Sequence, residues 1–484
     1  MRIAQMSATK EVVDIEGPVD RNGSSLSSPE SPTSPGLGPH VDEAKLMRKI
    51  DLHVLPILFT VYVAAFIDRI NISSALTLGL TQELGLTDQQ PNIALTIFFV
   101  PYILFEIPSN ILMKRVHPHI WLSGCILIFG IIMIGQGFVE SYGGLLATRF
   151  FLGLAEAGIF PGSFYLISFW YRRDEAQKRF TFYWSSTIIA GAFGGLLASA
   201  IANLEGARGL ASWRWVFIIE GVVTVLIGVI AFFSITDFPK EAKWLLPHEK
   251  TFLLAKTGAD ESHKVAVTMK DVFTFLSKPI HWIAALMYLS LLIPSYSFVF
   301  FVPTIVQALH YGSVQTQLHA VPPFAAAFGF ALLTAYLSDK LRIRSAFIFL
   351  GLALLITGLS LLTTIHGASS FSAEYAGLCL TAMGTFGTGG IVVCWYVMNL
   401  RGHVERSIGS AWLICVGNIG GIIATFTFLK KDAPYYRTGY LINLSMSALC
   451  VVTSASYGLI IWSKRRAEGR DDNSQETKQD LLYL

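Results

Sequence analysis

Apolar residues run along this chain in long, almost unbroken stretches separated by short polar turns. About 20 consecutive apolar residues make a helix long enough to cross a bilayer, and hydropathy picks out twelve such stretches. The expected spans are 54–76, 92–113, 120–139, 143–170, 180–203, 215–235, 280–303, 319–338, 345–365, 373–398, 407–428 and 440–463. The longest internal polar segment, 236–279, divides them into two groups of six. The groups echo each other. Span five carries Gly191-Ala-Phe-Gly-Gly195 and span eleven Gly417-Asn-Ile-Gly-Gly421, while span two ends in Lys114-Arg115 and span eight in Ser338-Asp-Lys340.

The pattern predicts an all-α membrane protein of twelve transmembrane helices in two pseudo-symmetric six-helix bundles, residues 45–235 and 280–463. A loop over 236–279 joins them. Paired repeats around a midplane site are the arrangement of alternating-access carriers, and glycine clusters permit close, sliding helix contact. The N-tail, 1–44, holds a Gly-Ser-Pro-rich run over 23–39 that is expected to stay disordered as a solvated tail. Charges alternate with apolar residues from Asp42 to Asp51, which predicts a short interfacial helix before the first span. Residues 464–484 form a polar C-tail.

Composition agrees: of 484 residues 53% are hydrophobic and 14% charged, and mean hydropathy is +0.54, which excludes a soluble globular protein. Lys and Arg gather in the turns after spans two, four, eight and ten, and are absent after spans one, three, seven and nine. Two loops expected to lie outside, with Arg208 and Arg214 and with Lys430, Lys431 and Arg437, break the pattern. The positive-inside bias places both termini and the central loop in the cytoplasm. A net charge of +3 therefore reflects orientation, and no nucleic-acid partner is expected. All five cysteines fall in expected spans without paired or metal-ligand spacing and read as small packing residues. The N-terminus lacks the apolar core of a cleavable signal, so the first helix is expected to direct its own insertion.

Charges inside the apolar runs carry the chemistry. Asp68-Arg69 ends the run from Val54, and Arg149 and Glu156 lie in the run from Gly143 to Tyr171. Each such charge costs roughly 2.5–3.5 kcal/mol at a helix centre, so it usually marks an ion or substrate path. Arg149 and Glu156 are seven residues apart, sharing a helix face with about 10 Å between them along the axis, the width of a small carboxylate. Adjacent residues point roughly 100° apart, so Asp68 and Arg69 aim at different neighbours. An Asp68–Arg149 pair is expected, because an isolated buried charge tends to neutralise itself.

Glu156 and Asp68 are the candidate proton carriers and Arg69 the candidate anion anchor, since a guanidinium grips a carboxylate through two parallel hydrogen bonds. Two alternatives stand beside this: a purely structural ion network, and an Arg69 that snorkels to the membrane surface. Asn71, Tyr62, Tyr296, Trp395, Asn399 and Asn418 are candidate pocket residues, with Asn418 the deepest polar group. No phosphate-binding loop, zinc-protease helix or nucleophile elbow is present, so ATP hydrolysis and metal or serine hydrolysis have no support. His117 and His119 flank Pro118, and no metal site is expected there.

These residues fit a known family. Asp68-Arg69-x-Asn71, Pro108-Ser-Asn110, the run from Arg149 through Glu156 to Pro161-Gly162, Trp170-Tyr171-Arg172, Trp213-Arg-Trp-Val-Phe217 with Glu220-Gly221, and Asp237-Phe-Pro239 carry the match in the first half. Ser338-Asp339, Trp395-x-x-x-Asn399, Gly417-Asn418 with Gly420-Gly421, and Asp432-Ala-Pro434 carry it in the second. Over about residues 45–465 the chain resembles the major facilitator superfamily, and within it the anion:cation symporters of the fungal allantoate and nicotinate permease branch.

The resemblance implies proton-coupled uptake of a small organic anion. By analogy with bacterial galactonate carriers, it implies that Asp68 and Glu156 bind protons, Arg69 grips the substrate carboxylate and Arg149 pairs with the acids. It also implies a cytoplasmic gate at Ser338-Asp339, matched in the first half by a segment that ends in Lys114-Arg115 and lacks the usual acid. Asp339 and Arg115 are thus the candidate gating residues. The expected protein is a secondary carrier and no enzyme, a monomer in the plasma membrane or alternatively the vacuolar membrane, driven by the proton gradient without a cofactor. An exporter of a carboxylated fungal metabolite and a non-transporting nutrient receptor are the alternatives. Relatives carry nicotinate, allantoate, ureidosuccinate, pantothenate, biotin and simple sugar acids.

Overall fold

The structure is a computed structural model that describes residues 41–113, 116–257, 268–308, 312–341, 343–365, 371–400, 402–433 and 435–471. Most of the expected N-tail, part of the central loop, the end of the C-tail and Arg115 lie outside the described residues. In hydrocarbon every backbone N–H and C=O must be satisfied within its own segment, which an unbroken apolar stretch achieves only as a helix. The apolar stretches are helical accordingly. Those of the first half are α1 (Glu43–Ala75), α2 (Gln90–Met113), α3 (Pro118–Gln136), α4 (Tyr142–Trp170), α5 (Arg173–Ile201) and α6 (Ser212–Ser234). Those of the second are α7 (Pro279–Ala308), α8 (Val321–Leu341), α9 (Arg344–Thr364), α10 (Phe371–Met398), α11 (Gly402–Ala424) and α12 (Arg437–Asp471). Among the described residues ten helices are long and apolar enough to cross a membrane; α2 and α11, the latter with its apolar part at Ile408–Ala424, complete the twelve.

Two elements differ from expectation. The interfacial helix expected over 42–51 is continuous with the first span, and Asp42 caps the 33-residue rod by accepting a bond from the Lys45 N–H at 3.2 Å. The fourth span is interrupted. It runs as a helix to Glu156, turns at Ala157 and Gly158, and resumes at Ile159 ahead of Pro161, whose missing N–H suits a first helical turn.

The helices pair in the same way in both halves: α1 with α5 and α6 as α7 with α11 and α12, α2 with α4 as α8 with α10, and α3 with α6 as α9 with α12. The halves meet through equivalent pairs, α5 with α8 and α2 with α11. This is a pseudo-two-fold arrangement. The glycine clusters sit at these two seams. A methyl group on Gly191 would fall 2.3 Å from the Phe324 ring, and one on Gly421 2.3 Å from the Phe99 ring. Only hydrogen fits at those crossings.

At one end of the seam polar groups join the halves. Ser74 Oγ donates to Gln317 Oε1 at 2.9 Å, and Gln317 Nε2 donates to Thr77 Oγ1 at 2.8 Å. Asn92 Nδ2 donates to the Thr425 carbonyl at 2.6 Å, and Ser73 Oγ donates to the Phe300 carbonyl. At the other end, the loop helix Pro247–Thr257 is tied to the first half, with Lys49 Nζ on Glu249 at 2.8 Å and Lys256 Nζ on Glu43 and Glu175 at 2.8 and 2.6 Å.

Candidate functional site

Arg69 and Glu156 form the centre of the molecule. Arg69 projects from α1 and Glu156 from the break in α4, and both are almost fully buried. Arg69 Nε donates to Glu156 Oε1 and Oε2 at 3.0 and 3.2 Å, and its Nη2 donates to Oε1 as well. The guanidinium lies over the rings of Phe66, Phe98 and Tyr102 at 4.9–5.3 Å, so its faces rest on aromatic electron density while its edge meets the carboxylate. Nη1 reaches across to the second half and donates to the Tyr296 hydroxyl at 3.2 Å.

Asp68 turns away, as adjacent helical residues must. Its Oδ2 accepts from Thr224 Oγ1 of α6 at 2.6 Å, and its Oδ1 has no partner. The expected Asp68–Arg149 ion pair is therefore not formed, because Thr224 rather than Arg149 meets the Asp68 carboxylate. Arg149 instead donates to the Arg69 carbonyl at 3.3 Å and to Asn71 Oδ1 at 3.4 Å, and Gln136, with its amide oxygen turned toward it, accepts at 3.1 and 3.3 Å. Nor does Arg69 snorkel; it is 2% exposed. The gap between Arg149 and Glu156 that the sequence offered to a substrate is filled here by Arg69 itself.

Beside this cluster, between the halves, lies a small cavity walled by Tyr62, Tyr102, Phe160, Trp184, Tyr288 and Tyr296. Its polar margin includes Asn418 and Thr385. Trp184 Nε1 and Thr385 Oγ1 have no partner in the protein, an uncommon state for polar groups in a protein interior. The structure thus brings Tyr62, Tyr296 and Asn418 to the cavity wall and places Arg69 directly behind Tyr296.

Three other candidates lie elsewhere. Asn71 is buried in the first half, where its Nδ2 donates to Glu220 Oε2 at 2.8 Å. Trp395 packs edge-on against Tyr457 at 4.8 Å, and Asn399 donates to the Trp395 carbonyl at 2.7 Å while accepting from Arg465 Nη2 at 2.9 Å. Neither lines the cavity, because the last turns of α10 face α12. Asp339 accepts from Arg344 Nη2 at 3.2 Å across the α8–α9 turn. At the α2–α3 turn, His117, Asp237 and Glu241 bring ligand-type atoms within 4.8 Å of one another. There Asp237 already accepts from the His119 backbone N–H at 2.8 Å and meets its ring Nδ1 at 2.6 Å, which joins the turn to the end of α6.

Several residues of the site went unread in the sequence. Glu106 and Glu220, 3% exposed each, are intramembrane carboxylates of the same kind as Asp68; Glu220 stood out only as part of the family match, yet a charge within a span marks both as site residues. Gln136 and Thr224 carry no comparable signal, since an uncharged polar residue within a span is common.

The sequence matches the Major Facilitator Superfamily over residues 58–425. It is 30% identical to the MFS-type transporter cnsO of Penicillium expansum, over 88% of this chain and 84% of that protein. It is 28% identical to the major facilitator-type transporter hxnP of Emericella nidulans, over 93% of each. Among solved structures it resembles a bacterial homologue of the human lysosomal transporter Spinster in an inward-facing, unoccupied conformation, with TM-score 0.64 and 18% identity over 84% of this chain and 96% of the other. It also resembles a D-xylose–proton symporter, with TM-score 0.63 and 15% identity over 84% and 97%. The chain belongs to the major facilitator superfamily. It is accordingly a multi-pass membrane transporter, not an enzyme.

Proposed function

We propose that this protein is a proton-coupled importer of a small organic carboxylate, nicotinate- or allantoate-like, of the anion:cation symporter type. The observation that carries the reading is the buried Arg69–Glu156 pair set behind an aromatic cavity between the halves. A guanidinium with one carboxylate partner can exchange it for another of the same geometry, provided the first is neutralised. A proton on Glu156 does that. Arg69 then presents its fork to the cargo's carboxylate, through the place where Tyr296 now holds Nη1.

Charge balance supports the proton's part. Among the described residues, four carboxylates (Asp68, Glu106, Glu156, Glu220) and three guanidiniums (Arg69, Arg149, Arg214) are buried in the first half; Arg214 is paired with Glu83, which leaves the four acids against two cations. An unpaired charge in a low-dielectric interior costs far more than a neutral acid, so bound protons are the natural counterweight. The aromatic walls favour a flat, apolar-faced cargo, and Trp184 Nε1 offers a free donor to a ring nitrogen or carbonyl. In this reading the polar seam at Ser74, Gln317 and Asn92 is the closed outer gate, the termini are cytoplasmic and the membrane is the plasma membrane.

The test is uptake of a panel of labelled carboxylates at acidic and neutral external pH, with and without an uncoupler, in yeast lacking the related permeases. Saturable uptake of one acid, raised at low pH and lost with uncoupler, is the expected result. No uptake by protein confirmed at the cell surface would overturn the reading and turn attention to efflux.

A further inference from the structure

Thr385 of α10 lines the cavity between the halves, is 1% exposed, and its Oγ1 has no partner among the described residues. A threonine inside a helix commonly donates to the carbonyl one turn back. Thr381 and Thr388 of the same helix do so, to the Gly377 carbonyl at 2.8 Å and the Gly384 carbonyl at 2.6 Å. Thr385 lies between them and makes no such bond. Its buried hydroxyl is left for whatever enters the cavity.

Trp184, on α5 of the opposite half, brings a second free group to the same stretch of wall. Its indole lies against the glycine strip of α10: a methyl group on Gly389 would stand 3.5 Å from Nε1, and one on Gly390 3.5 Å from Cδ1. Gly389 follows Thr385 by four residues, so the two share a helix face about 6 Å apart. Nε1, like the Thr385 hydroxyl, has no partner among the described residues.

The distance from this pair to Arg69 follows from α1 and α4. Phe160, four residues after Glu156, meets the Trp184 ring edge-on at 6.0 Å and the Tyr62 ring at 5.1 Å. Tyr62 in turn precedes Arg69 by seven residues. One to two helical turns, roughly 6–10 Å, therefore separate the guanidinium from the indole along the helices. A single aromatic ring with a hydrogen bond at each end fits such a gap. Among the described residues the cavity wall holds no Lys, Arg, Asp or Glu, so a second charge on the cargo would be stranded there. An indole N–H only donates, and the group it takes is a neutral acceptor.

We propose that Thr385 and Trp184 set the specificity of the cavity, selecting a planar aromatic carboxylate with a neutral hydrogen-bond acceptor on its ring, apart from the acid group. The proposal rests on the reading of Arg69 as carboxylate anchor and describes the other end of that cargo.

Binding to the purified full-length protein, read by titration calorimetry in detergent, tests it with three acids of one size. Nicotinate has a ring nitrogen apart from its carboxylate, picolinate has one beside it, and benzoate has none. Nicotinate should bind about tenfold more tightly than either of the others, the scale of one hydrogen bond lost in a desolvated site. Thr385→Val and Trp184→Phe keep the apolar shape and remove the polar hydrogens. Each should bring the ratio of nicotinate to benzoate affinity toward one, whereas Thr385→Ser, which retains the hydroxyl, should keep the wild-type ratio. Because the ratio is taken within each variant, a general loss of affinity or stability does not imitate the effect. Equal binding of the three acids by wild type overturns the proposal and leaves the carboxylate reading standing, as does a ratio that survives in both Thr385→Val and Trp184→Phe. Binding of some other acid of the uptake panel, but none of these three, also overturns the proposal alone. Failure to bind any acid sinks the carboxylate reading together with it.

Discussion

Arg69 and Glu156, 87 residues apart in the chain, grip each other through two guanidinium nitrogens in the buried interior. Removing one partner of a buried pair strands the other, which costs about 3–5 kcal/mol. Arg69→Ala should therefore abolish uptake and lower the yield of folded protein. The double variant Arg69→Ala/Glu156→Gln should recover the yield, read by thermal unfolding in detergent, and still not transport. Retained uptake with unchanged affinity in the single variant would remove Arg69 from the substrate path. Glu156→Gln should lose the response of uptake to the pH gradient; a wild-type pH dependence would take Glu156 out of the coupling.

Asn418, within span eleven, and Asn399, at the end of span ten, are both pocket candidates by sequence, and the structure separates them. Asn418 faces the cavity and accepts from Tyr296, whereas Asn399 is held between the Trp395 carbonyl and Arg465. Asn418→Ala is expected to raise KM for the transported acid by about tenfold, the scale of a hydrogen bond lost in a desolvated site. Asn399→Ala is expected to leave KM unchanged and to reduce surface abundance. Kinetics of both variants in the same cells, normalised to surface protein, check the contrast. Equal KM shifts would mean that the two act through a common structural effect.

The twelve helices were legible because an apolar run of spanning length has one solution in lipid. Asp68, Arg69, Arg149 and Glu156 stood out for the same reason, since a charge there is expensive. Their pairing was not legible. Which of two adjacent residues faces α4 is decided by the rotation of α1 against α4 and α6, and that rotation comes from packing among residues distant in sequence. Trp395 and Asn399 were read toward the pocket on residue type alone. Their true surroundings depend on Tyr457 and Arg465 of α12, about 60 residues further on, and no local pattern encodes that contact.

Outside the membrane-spanning segments, Glu205 caps the approach to α6. Hydrogen bonds from Ser212, its hydroxyl first and its backbone N–H second, hold the Glu205 carboxyl below its ordinary 4.5. A carboxyl lowered in this way contributes its full stability above its unfolded value, and loses it as pH falls through the lowered folded value. Wild type and Glu205→Gln should therefore differ in melting temperature at neutral pH, by a small amount because water screens this exposed carboxylate, and converge in strong acid. A difference that grows as the pH falls into strong acid would contradict the sign derived from this linkage.

Gln317 engages α1 and the turn after it through both ends of its amide, and it sits on the short helix Ser313–His319 that leads into α8. Its Oε1 accepts from Ser74 of α1, its Nε2 donates to Thr77, and it is fully buried. If this seam is the closed outer gate, Gln317→Ala removes two hydrogen bonds that exist only in the closed state. At about 1 kcal/mol each, the loss favours outward opening by roughly 30-fold. A cysteine introduced at the cavity residue Ser295 reads that shift through its reaction with a membrane-impermeant maleimide added outside the cell. Faster labelling in Gln317→Ala than in the otherwise wild-type Ser295→Cys protein is the expected outcome, and the same change should raise affinity for externally added acid. An unchanged labelling rate, with surface levels matched, would mean that the seam is static packing and that the halves open elsewhere.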